Sequence, residues 1–152
     1  MSLSEEERSV LVKYEYEKAL KFYSQAEKNA EFMMWDVVAN RLYYAVFHAI
    51  SALLVKDQHK VGTHKGAVLL FGLNYVKTGI FSDEDGRLYS QLQTIREKSD
   101  YNCVWEASMD DVKPMMPLTK RLIEKSEGTS IIRHYRDQFL TVPPGFRRES
   151  AK

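Results

Sequence analysis

Asn40-Arg41-Leu42-Tyr43-Tyr44-Ala45-Val46-Phe47-His48-Ala49-Ile50-Ser51-Ala52-Leu53-Leu54 is the stretch on which the fold turns. Leu42, Val46, Ala49 and Leu53 follow one another at steps of four, three and four, and Tyr43, Phe47, Ile50 and Leu54 repeat the pattern one residue on. Two adjacent apolar stripes of helical period cover most of a helix's circumference. A helix of that kind sits at the centre of a bundle and touches several neighbours. What remains is one polar line on a buried helix: Arg41, Tyr44, His48 and Ser51, spaced by three, four and three. Asp36 reads as the N-cap, and the helix is expected to run to about Lys56.

Helix signals spread outward from this centre. Toward the N-terminus, Ser4 with Glu7 forms a capping box. Val12, Tyr16, Ala19, Tyr23, Ala26, Ala30 and Met33 then alternate steps of four and three on one face of a long first helix. Toward the C-terminus, Asp57 to Gly62 reads as a loop, and Thr63 caps a third helix carrying Val68, Phe71 and Tyr75. That helix stops near Gly79, a residue suited to a left-handed cap. Ser82 with Asp85 opens a fourth helix, whose inner line is Leu88, Leu92, Ile95 and Ser99. Ser108 with Asp111 marks a fifth, in which Pro114 and Pro117 predict a kink or a later start. Ile131, Ile132, Tyr135 and Phe139 suggest a short extra helix ahead of a polar tail. The expectation is an all-α, up-and-down bundle of about five helices over residues 1–128, with 129–152 as a C-terminal extension.

Composition narrows the function classes. A chain of 152 residues is one domain, long enough to bury about 70% of the surface its unfolded form exposes. The formal net charge is only +1, which argues against a protein that coats long duplexes but leaves room for a local basic patch. Cys103 is the sole cysteine, so no intrachain disulfide can form, and the count suits a reducing compartment. The acidic start Ser4-Glu5-Glu6-Glu7 is unlike a secretory signal. The most apolar run, Ala45 to Val55, falls short of the roughly 20 residues that span a bilayer. A cytoplasmic protein with no membrane association is expected.

The central helix and the segment Ile95-Arg96-Glu97-Lys98-Ser99-Asp100-Tyr101 together resemble the HEPN family, small all-helical proteins often encoded beside minimal nucleotidyltransferases. The resemblance covers roughly Tyr16 to Ile123. Its anchors are Asn40 to Ala45, Thr63-His64-Lys65-Gly66, Val76-Lys77-Thr78-Gly79 and Arg96 to Tyr101. It implies a homodimer and a nucleotidyltransferase, nucleotide or RNA as partner. Many members of that family cleave RNA through an Arg, four to six variable residues and a His. Here Tyr101, Asn102 and Cys103 stand where that His would fall. A binding module without ribonuclease activity is therefore expected, and the alternative is a toxin-like, metal-independent endoribonuclease using Arg96 with a non-standard partner.

The candidate binding residues are Arg96, Asp100, Tyr101, Asn102, Arg41, Tyr44 and His48. Arg96 offers a planar fork that matches phosphate oxygens. Tyr101 is a poor base, with an ordinary pKa near 10 against about 6.5 for His. The plainer reading is an Arg96–Asp100 pair at i, i+4, worth about 0.3–0.5 kcal/mol when exposed. Arg41 and His48 fit the Arg-to-His spacing but lie two turns apart on one helix, about 10.5 Å of rise. His48 reads first as a hydrogen-bonded core histidine, and a composite site with His48 facing Arg96 across the bundle is the second reading. His59 and His64 read as solvent-exposed. No ligand spacing supports a metal, and no Gly-rich loop supports a bound phosphate cofactor.

Overall fold

A computed structural model describes residues 2–60 and 62–138, with side chains described as far as Thr129. Its helices are α1 (Glu5–Glu31), α2 (Trp35–Lys56), α3 (His64–Phe71), α4 (Asp83–Tyr101), the single turn α5 (Met109–Val112) and α6 (Met115–Gln138). There is no strand among the described residues. The fold is the expected all-α bundle, with α2 at its centre.

The core explains that placement. Leu42, Tyr43, Val46, Ala49, Ile50, Leu53 and Leu54 are all fully buried, so both stripes of α2 are covered at once. α1 lies along α2 and buries Ala19 and Ala26, both without exposed surface. Ala19, Ala45 and Ala49 meet Ile123 of α6 in a separate cluster. Small side chains at that crossing let three helix backbones approach closely. Tyr16 and Tyr23 of α1 then donate their hydroxyls to the carbonyls of Ser126 and Met116. α6 is thereby held to α1 by ring packing and by main-chain hydrogen bonds.

Local signals set most helix starts. Ser4 with Glu7 and Ser82 with Asp85 form complete capping boxes, and Thr63 and Ser108 accept from Gly66 and Asp111. Asp36 does not cap α2: Met34 is the cap residue, and the Asp36 carboxylate instead accepts the Ala107 N–H at 2.7 Å, tying the α4–α5 loop to α2. Met33 does not extend the α1 stripe either. It lies in the α1–α2 turn with φ 58°, its side chain largely exposed. Ser51, read as part of a polar line, is buried with only 6% of its surface exposed.

The prolines resolve by division. Ser108 caps the one-turn α5, and α6 begins anew at Met115, just after Pro114. Pro117 then falls in the first turn of α6, where its missing N–H costs nothing. α6 crosses Gly128 unbroken to Gln138, so the expected extra helix is a continuation as far as that residue. Residues 139–152, including Phe139 and the tail, lie outside the described residues.

After α3 the chain widens into a π-helical segment, Gly72–Val76, closed by the Lys77 N–H on the Gly72 carbonyl at 2.8 Å. This segment places the Tyr75 hydroxyl between the Leu53 carbonyl and the Asp57 carboxylate at the end of α2. Burial pushes that phenol well above its ordinary pKa. Gly79, at φ 82°, makes the left-handed exit that the sequence predicts.

Candidate functional site: an arginine on an aromatic floor

Arg96 lies on the last turns of α4, where the helix passes over the Tyr43-Tyr44 pair of α2. Its guanidinium carbon sits 4.9 Å from the Tyr43 ring centre and 5.8 Å from that of Tyr44. Nη1 donates to the Asp100 carboxylate at 3.2 Å. The expected i, i+4 pair is thus present, but it is not a simple surface pair. The Arg96 side chain is only 15% exposed, and its Nε is buried without a partner. Cation–π contact supplies about 0.5–2 kcal/mol at such sites and offsets part of that desolvation.

Tyr43 links Arg96 to a residue that the sequence does not mark as functional. Its hydroxyl lies 2.7 Å from Nδ1 of His64, the first residue of α3. His64 is therefore not the solvent-exposed histidine that the sequence reading expects at the start of this helix. It is half-buried, with its ring 4.6 Å from Phe47, 5.8 Å from Tyr43 and 6.0 Å from Tyr44. Burial first, then the Arg96 and His48 charges, hold its pKa below the ordinary histidine value. Burial pushes the Tyr43 phenol up to about 12, and the Arg96 charge only partly opposes that. The available signal was Thr63-His64-Lys65-Gly66, an imidazole placed immediately after an N-cap.

The floor continues across α2 to α1. Phe47 touches both imidazoles, with ring centres 5.2 Å from His48 and 4.6 Å from His64. His48 accepts no role opposite Arg96 through a hydrogen bond; its Nδ1 pairs with Glu15 of α1 at 2.7 Å, and Phe22 stacks on its ring at 5.3 Å. Phe22 also lies 5.9 Å from Tyr44 and carries the Arg41 guanidinium at 4.9 Å. Arg41 is fixed by the side chains of Asn40 and Gln25. A partly exposed strip of Tyr44, Phe47 and Phe22 is thus flanked by Arg96 on one side and Arg41 on the other.

Four of the seven sequence candidates, Arg96, Asp100, Tyr44 and, one ring further, Arg41, converge on this strip. His48 joins it through Phe47 and Phe22. Tyr101 and Asn102 do not. Tyr101 ends α4 with 83% of its surface exposed, and Asn102 caps the helix and accepts the Val104 N–H. No hydrogen bond or ring contact joins either to Arg96 among the described residues. No group of three metal-ligating side chains occurs among the described residues.

Comparison with known proteins adds the following. The model of the HEPN domain matches residues 12–129, which include α2 and the whole strip. A UPF0332 protein of Archaeoglobus fulgidus is 33% identical over 111 residues, 73% of this chain and 88% of that protein. A UPF0332 protein of Thermotoga maritima is 34% identical over 89 residues, 59% of this chain and 62% of its own length. A Methanocaldococcus jannaschii protein named "Putative toxin MJ0605" is 38% identical over 66 residues, 43% of this chain and 48% of its own length. In the last two the matched stretch covers less than two thirds of the relative.

Proposed function

The chain belongs to the HEPN domain family, and from that premise we propose that it is a binding module that holds RNA or a nucleotide through Arg96 and leaves it uncut. The observation that carries this reading is the guanidinium laid over Tyr43 and Tyr44 beside a partly exposed aromatic strip. Arginine recognises phosphate oxygens through a planar fork, and bases of single strands stack on aromatic faces. Both needs are met within one side chain's reach. The module works as a homodimer and docks a nucleotidyltransferase partner, as the family resemblance implies.

Cleavage needs a group that takes the proton from the ribose 2′-hydroxyl. No histidine follows Arg96 at the family's distance, and Tyr101 is 83% exposed with no hydrogen bond to Arg96 among the described residues. Binding of a short fluorescent single-stranded RNA, followed by anisotropy, tests the proposal. Arg96→Ala should weaken binding while far-UV circular dichroism stays unchanged. A variant that binds as tightly as the unaltered chain ends the proposal.

One observation favours the second reading, a toxin-like endoribonuclease. His64 is separated from Arg96 by a single phenol, which brings an imidazole to the site from another helix. RNA cut in EDTA, with the cutting lost in both Arg96→Ala and His64→Ala, would establish that reading.

A further inference from the structure

The hydrogen bond between Tyr43 and His64 fixes more than a ring position. Tyr43 has no exposed surface, and its phenol stays protonated at any physiological pH. Its hydroxyl proton has one acceptor within reach among the described residues, Nδ1 of His64. If Nδ1 carried the proton instead and donated to Tyr43, the buried phenol proton would have no acceptor. Leaving a buried donor unsatisfied is costly, and burying a second donor against it more so. A neutral imidazole carries one proton. With Nδ1 accepting, that proton is on Nε2. No hydrogen bond to a described residue engages Nε2, and His64 as a residue is half-exposed.

We infer that His64 is a second ligand-holding residue of this site: Tyr43 locks it as the Nε2–H tautomer, and that N–H donates to the phosphodiester of a single-stranded RNA held by Arg96. The inference rests on the RNA-binding reading above and names the ligand chemistry. Arg96 is half answered by Asp100, and His64 is neutral, so the site carries little net positive charge. That balance suits a monoanionic phosphodiester better than a dianionic terminal phosphate. The flanking Tyr44, Phe47 and Phe22 rings offer faces for the bases on either side. The same lock removes the lone pair that a general base would need at Nε2. It gives a chemical reason why an imidazole near Arg96 binds RNA without cutting it.

Long-range 1H–15N correlation on the full chain, free of ligand, at pH 7.5 reads the tautomer directly. The His64 Nδ1 resonance should fall in the unprotonated range and Nε2 in the protonated range, and Tyr43→Phe should mix the two forms. A protonated Nδ1 in the unaltered chain overturns the inference even if RNA binds. The second arm uses a fluorescent ten-nucleotide uridine RNA. His64→Gln keeps a donor near the Nε2 position and should bind within about twofold of the unaltered chain. His64→Ala should bind roughly ten- to a hundredfold more weakly, the loss of one hydrogen bond to a charged phosphodiester. Adenosine 5′-monophosphate should compete more weakly than the dinucleoside monophosphate UpU, and equal competition overturns the diester assignment. An RNA that fails to bind the unaltered chain while the tautomer is as stated brings down the RNA-binding reading, and with it the role of the Nε2 donor.

Discussion

Arg96 lies on two rings and shares one carboxylate, with its Nε left buried and unanswered. Such a group is poised for an anion, because a bound phosphate would face a cation that water screens poorly. Arg96→Ala should weaken RNA binding by roughly 1.5–3 kcal/mol, the range for a hydrogen bond to a charged group. Arg96→Lys should recover only part of this, since an ammonium lacks the flat fork that lies over Tyr43. His64 gives a pH signature. Its folded pKa is lowered by burial and by Arg96 and His48, so the unfolded chain binds the proton more readily. That contribution is absent well above pH 6.5 and destabilises the fold as pH falls through about 6.5, the ordinary histidine value. The midpoint of thermal unfolding should therefore fall between pH 7.5 and 5.5, and fall less in His64→Gln. Equal slopes in the two proteins would show that His64 does not titrate as described. The Arg96–Asp100 pair was legible in the sequence because it lies within one helix. The partnership of His64 with Tyr43 was not, because it joins residues 21 positions apart across two helices.

Caps and stripes dictate the helices wherever the cause is local. Ser4, Thr63, Ser82 and Ser108 each bond the N–H three residues on, as their spacing predicts. Ser82→Ala should cost about 1 kcal/mol, the usual value for a lost N-cap, measured by urea unfolding. An unchanged midpoint would mean that the turn after Phe81 alone holds the start of α4. Asp36 misleads for a tertiary reason: its carboxylate is taken by Ala107, 71 residues away, and no pattern around Asp36 announces that. The π-helical segment Gly72–Val76 is equally silent in the sequence, since its purpose is to carry Tyr75 to the end of α2. The small residues of α1 and α2 are easier to read. Ala19, Ala45 and Ala49 mark the crossing with Ile123, and a large side chain there would push α6 outward.

The whole molecule is organised around α2, which is long and apolar enough to cross a membrane by composition alone, yet has two thirds of its apolar window buried among the other helices. Leu53→Ala, at a fully buried position in the last turn of α2, should cost about 2–5 kcal/mol in thermal or denaturant unfolding. A loss below 1 kcal/mol would mean that this core is not packed as described. The homodimer proposed for the family module should appear as twice the chain mass by light scattering on a size-exclusion column at micromolar concentration. A single-chain mass would remove that part of the proposal. The central claim is that a HEPN fold with Arg96 on an aromatic floor, and with the His64 imidazole committed to Tyr43, holds RNA without cleaving it. The measurement closest to that claim incubates the purified full chain with a labelled single-stranded RNA in EDTA and follows binding and strand length in the same sample. The account predicts an anisotropy rise that Arg96→Ala shifts to higher protein concentration, with the RNA at full length throughout. Shortened RNA that regains full length in Arg96→Ala would contradict it.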